Sequence, residues 1–189
     1  GKWVAGEDGE TIAVRNPGDG AALGDVASLS ADQARLAVDA AQDAFDDWAM
    51  TLPQDRSAIL RRWFDLMIEH REDLARIMVL EQGKPLSEAR GEIDYAASFV
   101  EYYAEESKRP NIEGVTSHLP DAEVELWLEP VGVAALITPW NFPAAMLTRK
   151  AAAAMAAGCT VVAHPSGETP YSALALAELA ERAGIPAGV

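Results

Sequence analysis

The 189 residues, 49% apolar and 24% charged, can bury a core and are expected to form one domain. The 30 acidic against 15 basic residues leave a net charge of −15, which argues against nucleic acid or an anionic membrane as partner. No apolar run is long enough to cross a bilayer and no basic, apolar leader opens the chain, so the expected location is cytoplasmic.

One cysteine, Cys159, excludes an intrachain disulfide, and His70, His118 and His164 have no ligand-like spacing with it, so no metal is expected. Cys159 opens an apolar strand with no base beside it in sequence, the setting of a buried small hydrophobe rather than a reactive thiol.

Residues 1 to 29 read as short strands and turns. Thr11 to Arg15 is a strand candidate, followed by the turn cluster Asn16-Pro17-Gly18-Asp19-Gly20. Gly18, Gly20 and Gly24 imitate a dinucleotide fingerprint, but the third glycine falls one position late and no helix opens there. Ser30 with Gln33 forms a capping box, and Ala34, Val38, Ala41, Phe45 and Trp48 keep helical spacing behind it. Pro53 opens a second helix with an apolar stripe through Ile59-Leu60, Trp63-Phe64 and Met67-Ile68. A third, with Leu74, Ile77 and Met78, ends near Gly83. Pro85 starts a fourth that carries Ile93, Ala96, Ala97, Val100 and Tyr103 to about Lys108.

The pattern changes after residue 110. Thr116-Ser117-His118-Leu119, a Pro120-Asp121 turn, and Val124, Leu126 and Leu128 alternating with Glu123, Glu125, Trp127 and Glu129 predict a hairpin with one apolar face. A two-stranded ribbon is only marginally stable alone, so another surface, such as a second subunit, is expected against it. Val131 to Ile137 and Thr160 to Ala163 read as buried strands, and Pro143 to Ala157 and Pro170 to Ala183 as helices closed by Gly158 and Gly184. Strand, helix, strand, helix is the opening of a parallel, doubly wound sheet in an α/β fold. Two strands do not complete such a sheet, and a third is expected to begin where the chain stops, so the expectation is a truncated, incomplete domain.

The segment Thr138-Pro139-Trp140-Asn141-Phe142-Pro143 joins the first of these strands to its helix, where α/β enzymes keep their chemistry. Two prolines end the ladder and start the helix, which holds the Asn141 amide at the strand's carboxyl end, where it can stabilise an oxyanion. An Asn that only caps the helix at Pro143 is the alternative. No residue of the chain supplies the nucleophile that an oxyanion site would serve. Ser166 lacks the Gly-x-Ser-x-Gly elbow of a serine hydrolase.

These residues resemble the NAD(P)-dependent aldehyde dehydrogenases, closest to the succinate-semialdehyde dehydrogenase branch. The resemblance runs from Gly1-Lys2-Trp3 through Glu81-Gln82-Gly83-Lys84-Pro85-Leu86 to Ala173-Leu174-Ala175-Leu176-Ala177-Glu178-Leu179-Ala180, and Pro139-Trp140-Asn141-Phe142-Pro143 is its most specific element. It implies an aldehyde dehydrogenase-like fold: a helical N-terminal layer and the first strands of a Rossmann-like sheet, with a β-hairpin oligomerisation element. Residues 1–110 then carry the N-terminal strands and helices of the nucleotide-binding domain, 111–130 the hairpin, and 131–189 the first two βα units of the NAD(P)-binding sheet. By the same resemblance the catalytic domain, with its nucleophilic cysteine and a glutamate that activates water, is expected to lie beyond Val189 and to be absent from this chain.

The implied reaction oxidises an aldehyde to its carboxylic acid. A cysteine attacks the aldehyde, hydride passes to the nicotinamide, and water releases the acid. By resemblance, Asn141 donates to the thiohemiacetal oxyanion, and Lys150 approaches the nicotinamide ribose and can relay protons. A snorkelling surface residue is the alternative for Lys150. Thr138, Pro139 and Trp140 line the nicotinamide-ribose side of the cofactor cleft. Arg149, within Thr148-Arg149-Lys150, holds the distal carboxylate of a semialdehyde such as succinate semialdehyde, or else makes a salt bridge to a neighbouring helix or subunit.

The chain departs from the family pattern at the adenosine end, with His164-Pro165-Ser166-Gly167 where a lysine opens the motif. His164 is shorter than lysine and Gly167 removes a possible acidic group, so NADP is expected to be tolerated alongside NAD. Ala153 stands where a proline is common. Two other readings remain: a dehydrogenase for a different small aldehyde, and a non-catalytic fragment that binds nucleotide or takes part in assembly.

Overall fold

The computed structural model describes residues 2–109 and 112–189. The expected boundary between residues 110 and 111, and Gly1, lie outside the described residues.

A short hairpin opens the fold: β1 (Thr11–Arg15) pairs antiparallel with β2 (Ala22–Ala27) across the predicted turn. Gly18, Gly20 and Gly24 belong to this hairpin and no helix opens at them, as expected. Gly24 has φ 143°, and a Cβ there would lie 2.5 Å from the Tyr171 hydroxyl, so the position requires glycine.

Five helices follow: α1 (Ala31–Asp43), α2 (Phe45–Met50), α3 (Pro53–Glu69), α4 (Arg71–Gln82) and α5 (Leu86–Glu106). The Ser30–Gln33 capping box forms in full. The single amphipathic helix expected from Ala34 to Trp48 is two helices, broken at Ala44, and the stripe is only partly a core face. Ala41 and Trp48 are buried while Val38 is 46% exposed. On α3, Leu60, Trp63 and Met67 are buried, but Ile68 at the edge of the stripe is 42% exposed.

The predicted hairpin exists, in a different register from the one expected. Its strands are β3 (Ile112–Val115) and β4 (Val124–Trp127), so Thr116 to Leu119 belong to the connection rather than to a strand. Paired residues share a face. Val115, Val124 and Leu126 therefore lie on one side with Glu113, and Ile112 and Trp127 lie on the other, so neither face is uniformly apolar. All eight strand residues are exposed.

The parallel pair is β5 (Val133–Ile137) and β6 (Thr160–His164), each followed by its helix, α6 (Pro143–Ala157) and α7 (Pro170–Ala183). Register runs from Val133 opposite Thr160 to Ile137 opposite His164. The Val161 N–H also donates to the Val189 carbonyl at 2.9 Å, which places the last residue on the far edge of β6. Ala134, Leu136 and Val161 join the core, whereas Thr160, on the opposite face, donates its hydroxyl to the Ala41 carbonyl of α1 at 2.9 Å. Helices thus lie on both faces of the pair.

The core sits where α3, α5, α6 and α7 meet. Ala89, Ala96, Ala97 and Ala104 of α5 and Ala144, Ala145 and Ala152 of α6 are fully buried, small enough for two helices to pack closely.

Polar groups of the helical layer fill both ends of both crossover helices. At the carboxyl ends, Trp48 and Arg56 donate to Met155 and Ala156, both at 3.1 Å, and Arg62 donates to Ala183 at 2.8 Å. At the amino ends, Glu92 accepts from Ala144 and Ala145 of α6, and Glu81 from Tyr171 and Ser172 of α7. A helix leaves four N–H and four C=O groups unpaired at its ends, and here distant side chains satisfy several of them.

Candidate active site at the carboxyl ends of the parallel strands

β5 ends at Ile137 because Pro139 cannot continue a ladder, and α6 begins at Pro143, whose fixed φ suits a first helical turn. The link between them carries Thr138, Pro139, Trp140, Asn141 and Phe142. Thr138 is buried and its N–H reaches the His164 carbonyl at 3.2 Å, joining the two strand ends. Beyond it the link is open: Trp140 is 55% exposed and Asn141 is exposed.

Asn141 does not cap α6. The N-cap residue is Phe142, with no side-chain cap bond, and the amino-terminal N–H groups of α6 go to Glu92. Among the described residues nothing hydrogen-bonds to the Asn141 amide, while its backbone carbonyl accepts from Lys84 at 3.2 Å. The backbone is held and the side chain is left to present its donor.

Lys150 lies two turns into α6 and donates to the Ile137 carbonyl at 2.7 Å, so its ammonium stands at the solvent-exposed end of β5. Two of its three N–H donors remain. Across the pair, His164 ends β6 and leads into Pro165, Ser166 and Gly167, where the Ser166 hydroxyl accepts from Glu168 N–H at 3.2 Å. His164 and Gly167 are exposed. The structure therefore gathers Thr138, Pro139, Trp140, Asn141, Lys150 and the His164–Gly167 turn at one edge of the sheet, the crevice side of open α/β sheets.

Arg149 is set apart from this edge. It is exposed on α6, 5.6 Å from the centre of the Phe99 ring and 4.0 Å from the Met146 sulfur. Among the described residues no carboxylate pairs with it, so the salt bridge to a neighbouring helix is not formed within them.

Three charged residues that the sequence reading left without a role underlie the site. Lys84 pairs with Glu92, its ammonium lies 4.5 Å from the Phe142 ring centre, and it reaches Asn141. Glu92 interrupts the apolar stripe of α5 between Ala89 and Ile93, and a carboxylate at a core position demands partners. Glu81 takes 2.7 Å bonds from both Tyr171 and Ser172. Burial pushes its carboxyl up from the usual range, and the bonds from Ser172 and Tyr171 oppose that shift. Because carboxylates already occupy both helix N-termini, neither is open to a ligand phosphate.

Cys159 is buried behind Gly158, far from any acid–base partner in sequence. Among the described residues no cluster of His, Cys, Asp or Glu could hold a metal.

Comparison with known proteins identifies the family. Residues 3–189 match the aldehyde dehydrogenase family. The chain is 56% identical over 189 residues to the NADP(+)-type succinate-semialdehyde dehydrogenase GabD of Escherichia coli, all of this chain and 39% of that protein. It is 59% identical to a non-phosphorylating aspartate-semialdehyde dehydrogenase of Halomonas elongata, covering 38% of its length. The crystal structure of betaine aldehyde dehydrogenase from Staphylococcus aureus in complex with NAD+ superposes with a TM-score of 0.96 at 34% identity, over all of this chain and 38% of that one. The chain thus spans less than two-fifths of the length of these relatives. It is a member of the aldehyde dehydrogenase family.

Proposed function

We propose that this chain provides the oxyanion donor and part of the cofactor cleft of an NAD(P)-dependent aldehyde dehydrogenase that oxidises a small aldehyde with a distal carboxylate, succinate semialdehyde first. One observation carries the reading: beyond the end of β5, Asn141 presents an amide with no partner among the described residues while its backbone is held from behind. A fixed donor aimed at developing negative charge stabilises a transition state without reorganising.

The residues fit a nicotinamide cofactor at this edge, since Lys150 keeps spare donors there and Ile137 is 71% exposed beside it. When bound, that cofactor takes up the hydride. Lys150 would hold its ribose and move protons at the Ile137 end, Thr138, Pro139 and Trp140 would wall the nicotinamide side, and His164 to Gly167 would meet the adenosine side. Arg149, free of any carboxylate among the described residues, offers a planar guanidinium to the substrate's distal carboxylate. Relatives named for succinate and aspartate semialdehydes support a carboxylated substrate.

The proposal extends to assembly: the exposed apolar residues of β3 and β4 dock on a second copy of the chain, forming a homo-oligomer. No described helix is long and apolar enough to cross a membrane, and the reading places the reaction in the cytoplasm.

The deciding experiment is oxidation of succinate semialdehyde by the full-length enzyme, followed by formation of the reduced nicotinamide. Asn141→Ala is expected to lower kcat by about 10²–10³ with cofactor affinity nearly unchanged. Equal loss of turnover and cofactor binding would overturn the oxyanion role.

A further inference from the structure

The link between β5 and α6 has little to hold it. Two of its side chains, Trp140 and Phe142, are substantially exposed, and its strand-like bonding stops at Thr138. An oxyanion donor mounted on such a link needs an anchor, because a displacement of about 1 Å can cost about 10²-fold in rate.

We infer that Lys84, held by Glu92, is a positioning residue for Asn141. This rests on the reading of Asn141 as oxyanion donor and adds the group that aims it. The Lys84 ammonium is engaged on three sides. It pairs with the Glu92 carboxylate, donates to the Asn141 carbonyl at 3.2 Å, and lies 4.5 Å from the centre of the Phe142 ring. Glu92 in turn spends its other oxygen on the first amides of α6, Ala144 at 3.0 Å and Ala145 at 3.3 Å. One buried ion pair thus grips the carbonyl of Asn141, the ring of the next residue and the start of the helix beyond. Side-chain exposure is 9% for Lys84 and 1% for Glu92, so these contacts compete little with water.

The anchor is itself rigid. Gly83 ends α4 with φ 84°, Pro85 precedes α5, and the Lys84 N–H is bonded to the Gln82 side chain at 3.0 Å. Lys84 therefore projects from a short, fixed corner between two core helices.

A double-mutant cycle in the full-length enzyme tests the inference, with circular dichroism to confirm folding. Lys84→Met is expected to lower kcat about tenfold or more while the KM for cofactor stays within about twofold. In an Asn141→Ala background the same substitution is expected to change kcat by less than about threefold, since there is no amide left to aim. Glu92→Gln, which keeps an acceptor for α6 and removes the charge that holds Lys84, is the second variant and is expected to behave alike. If Asn141→Ala is impaired but Lys84→Met is inert, or adds its full effect to Asn141→Ala, the positioning role is overturned and the oxyanion reading stands. An inert Asn141→Ala sinks both. If neither Lys84→Met nor Glu92→Gln folds, the pair serves the fold alone and the inference is overturned.

Discussion

The Lys150 ammonium donates a 2.7 Å hydrogen bond to the Ile137 carbonyl, binding the second turn of α6 to the last residue of β5. Lys150→Met, which keeps the aliphatic stem, is expected to lower kcat by about 10²-fold, as for loss of a positioned proton-transfer group. The melting temperature is expected to fall by only a few degrees, because one hydrogen bond is worth about 1 kcal/mol net. Steady-state kinetics beside a thermal melt check both. A large loss of stability with unchanged kcat would make Lys150 a structural tie.

Arg149 tests the substrate class. A hydrogen bond to a charged group contributes about 1.5–3 kcal/mol, so Arg149→Ala is expected to cost about 10–10²-fold in kcat/KM on succinate semialdehyde. An uncharged aldehyde of similar length should lose almost nothing. The ratio of the two losses is the measurement, and equal losses would remove Arg149 from the substrate site.

His164 and Gly167 bear on the cofactor. His164 is exposed at the end of β6 and is shorter than a lysine, offering a 2′-phosphate less than a lysine would, while Gly167 presents no carboxylate to repel one. Both NADP and NAD are expected to support turnover, with kcat/KM values within about a hundredfold, or roughly 3 kcal/mol, of each other. His164→Lys should then shift preference toward NADP. A wild-type preference for NAD beyond that ratio would show that other residues decide the choice.

Acid stability has a local signature. Arg90 bonds Glu72 through two nitrogens, both at 2.8 Å, and pulls its carboxyl from 4.5 down to about 2. A carboxylate with a lowered folded-state pKa contributes stability above its unfolded value and loses it as pH falls toward the folded one. Between about pH 4.5 and 2 the urea midpoint of the wild type is therefore expected to fall more steeply than that of Glu72→Gln. Parallel curves would show that the exposed pair contributes nothing.

Much of the fold was legible in the sequence because its signals are local. Gly83, Gly158 and Gly184 end α4, α6 and α7 in the left-handed region, Pro143 and Pro170 begin α6 and α7, and the Ser30 capping box needs only four consecutive residues. The strand-to-helix joint with Asn141 was legible for the same reason. Helical spacing showed which residues could form a stripe but not which of them a neighbour would cover, so Val38 and Ile68 keep the stripes' spacing and lie exposed. In the second hairpin, apolar residues on both faces left alternation unable to set the register, and the ladder starts at Ile112 rather than in Thr116 to Leu119.

By itself the sequence determined the parallel strands, the helices that follow them with their ends, and the Pro-Trp-Asn-Phe-Pro joint between β5 and α6. Only the tertiary structure decided what stands behind that joint. Glu92 meets Ala144 across 52 residues and Glu81 meets Tyr171 across 90. A buried carboxylate is tolerable only where donors converge on it, and these donors come from helices that no local pattern connects. The placement of Lys84 under Asn141 follows from that convergence, since the same carboxylate that starts α6 also holds the lysine.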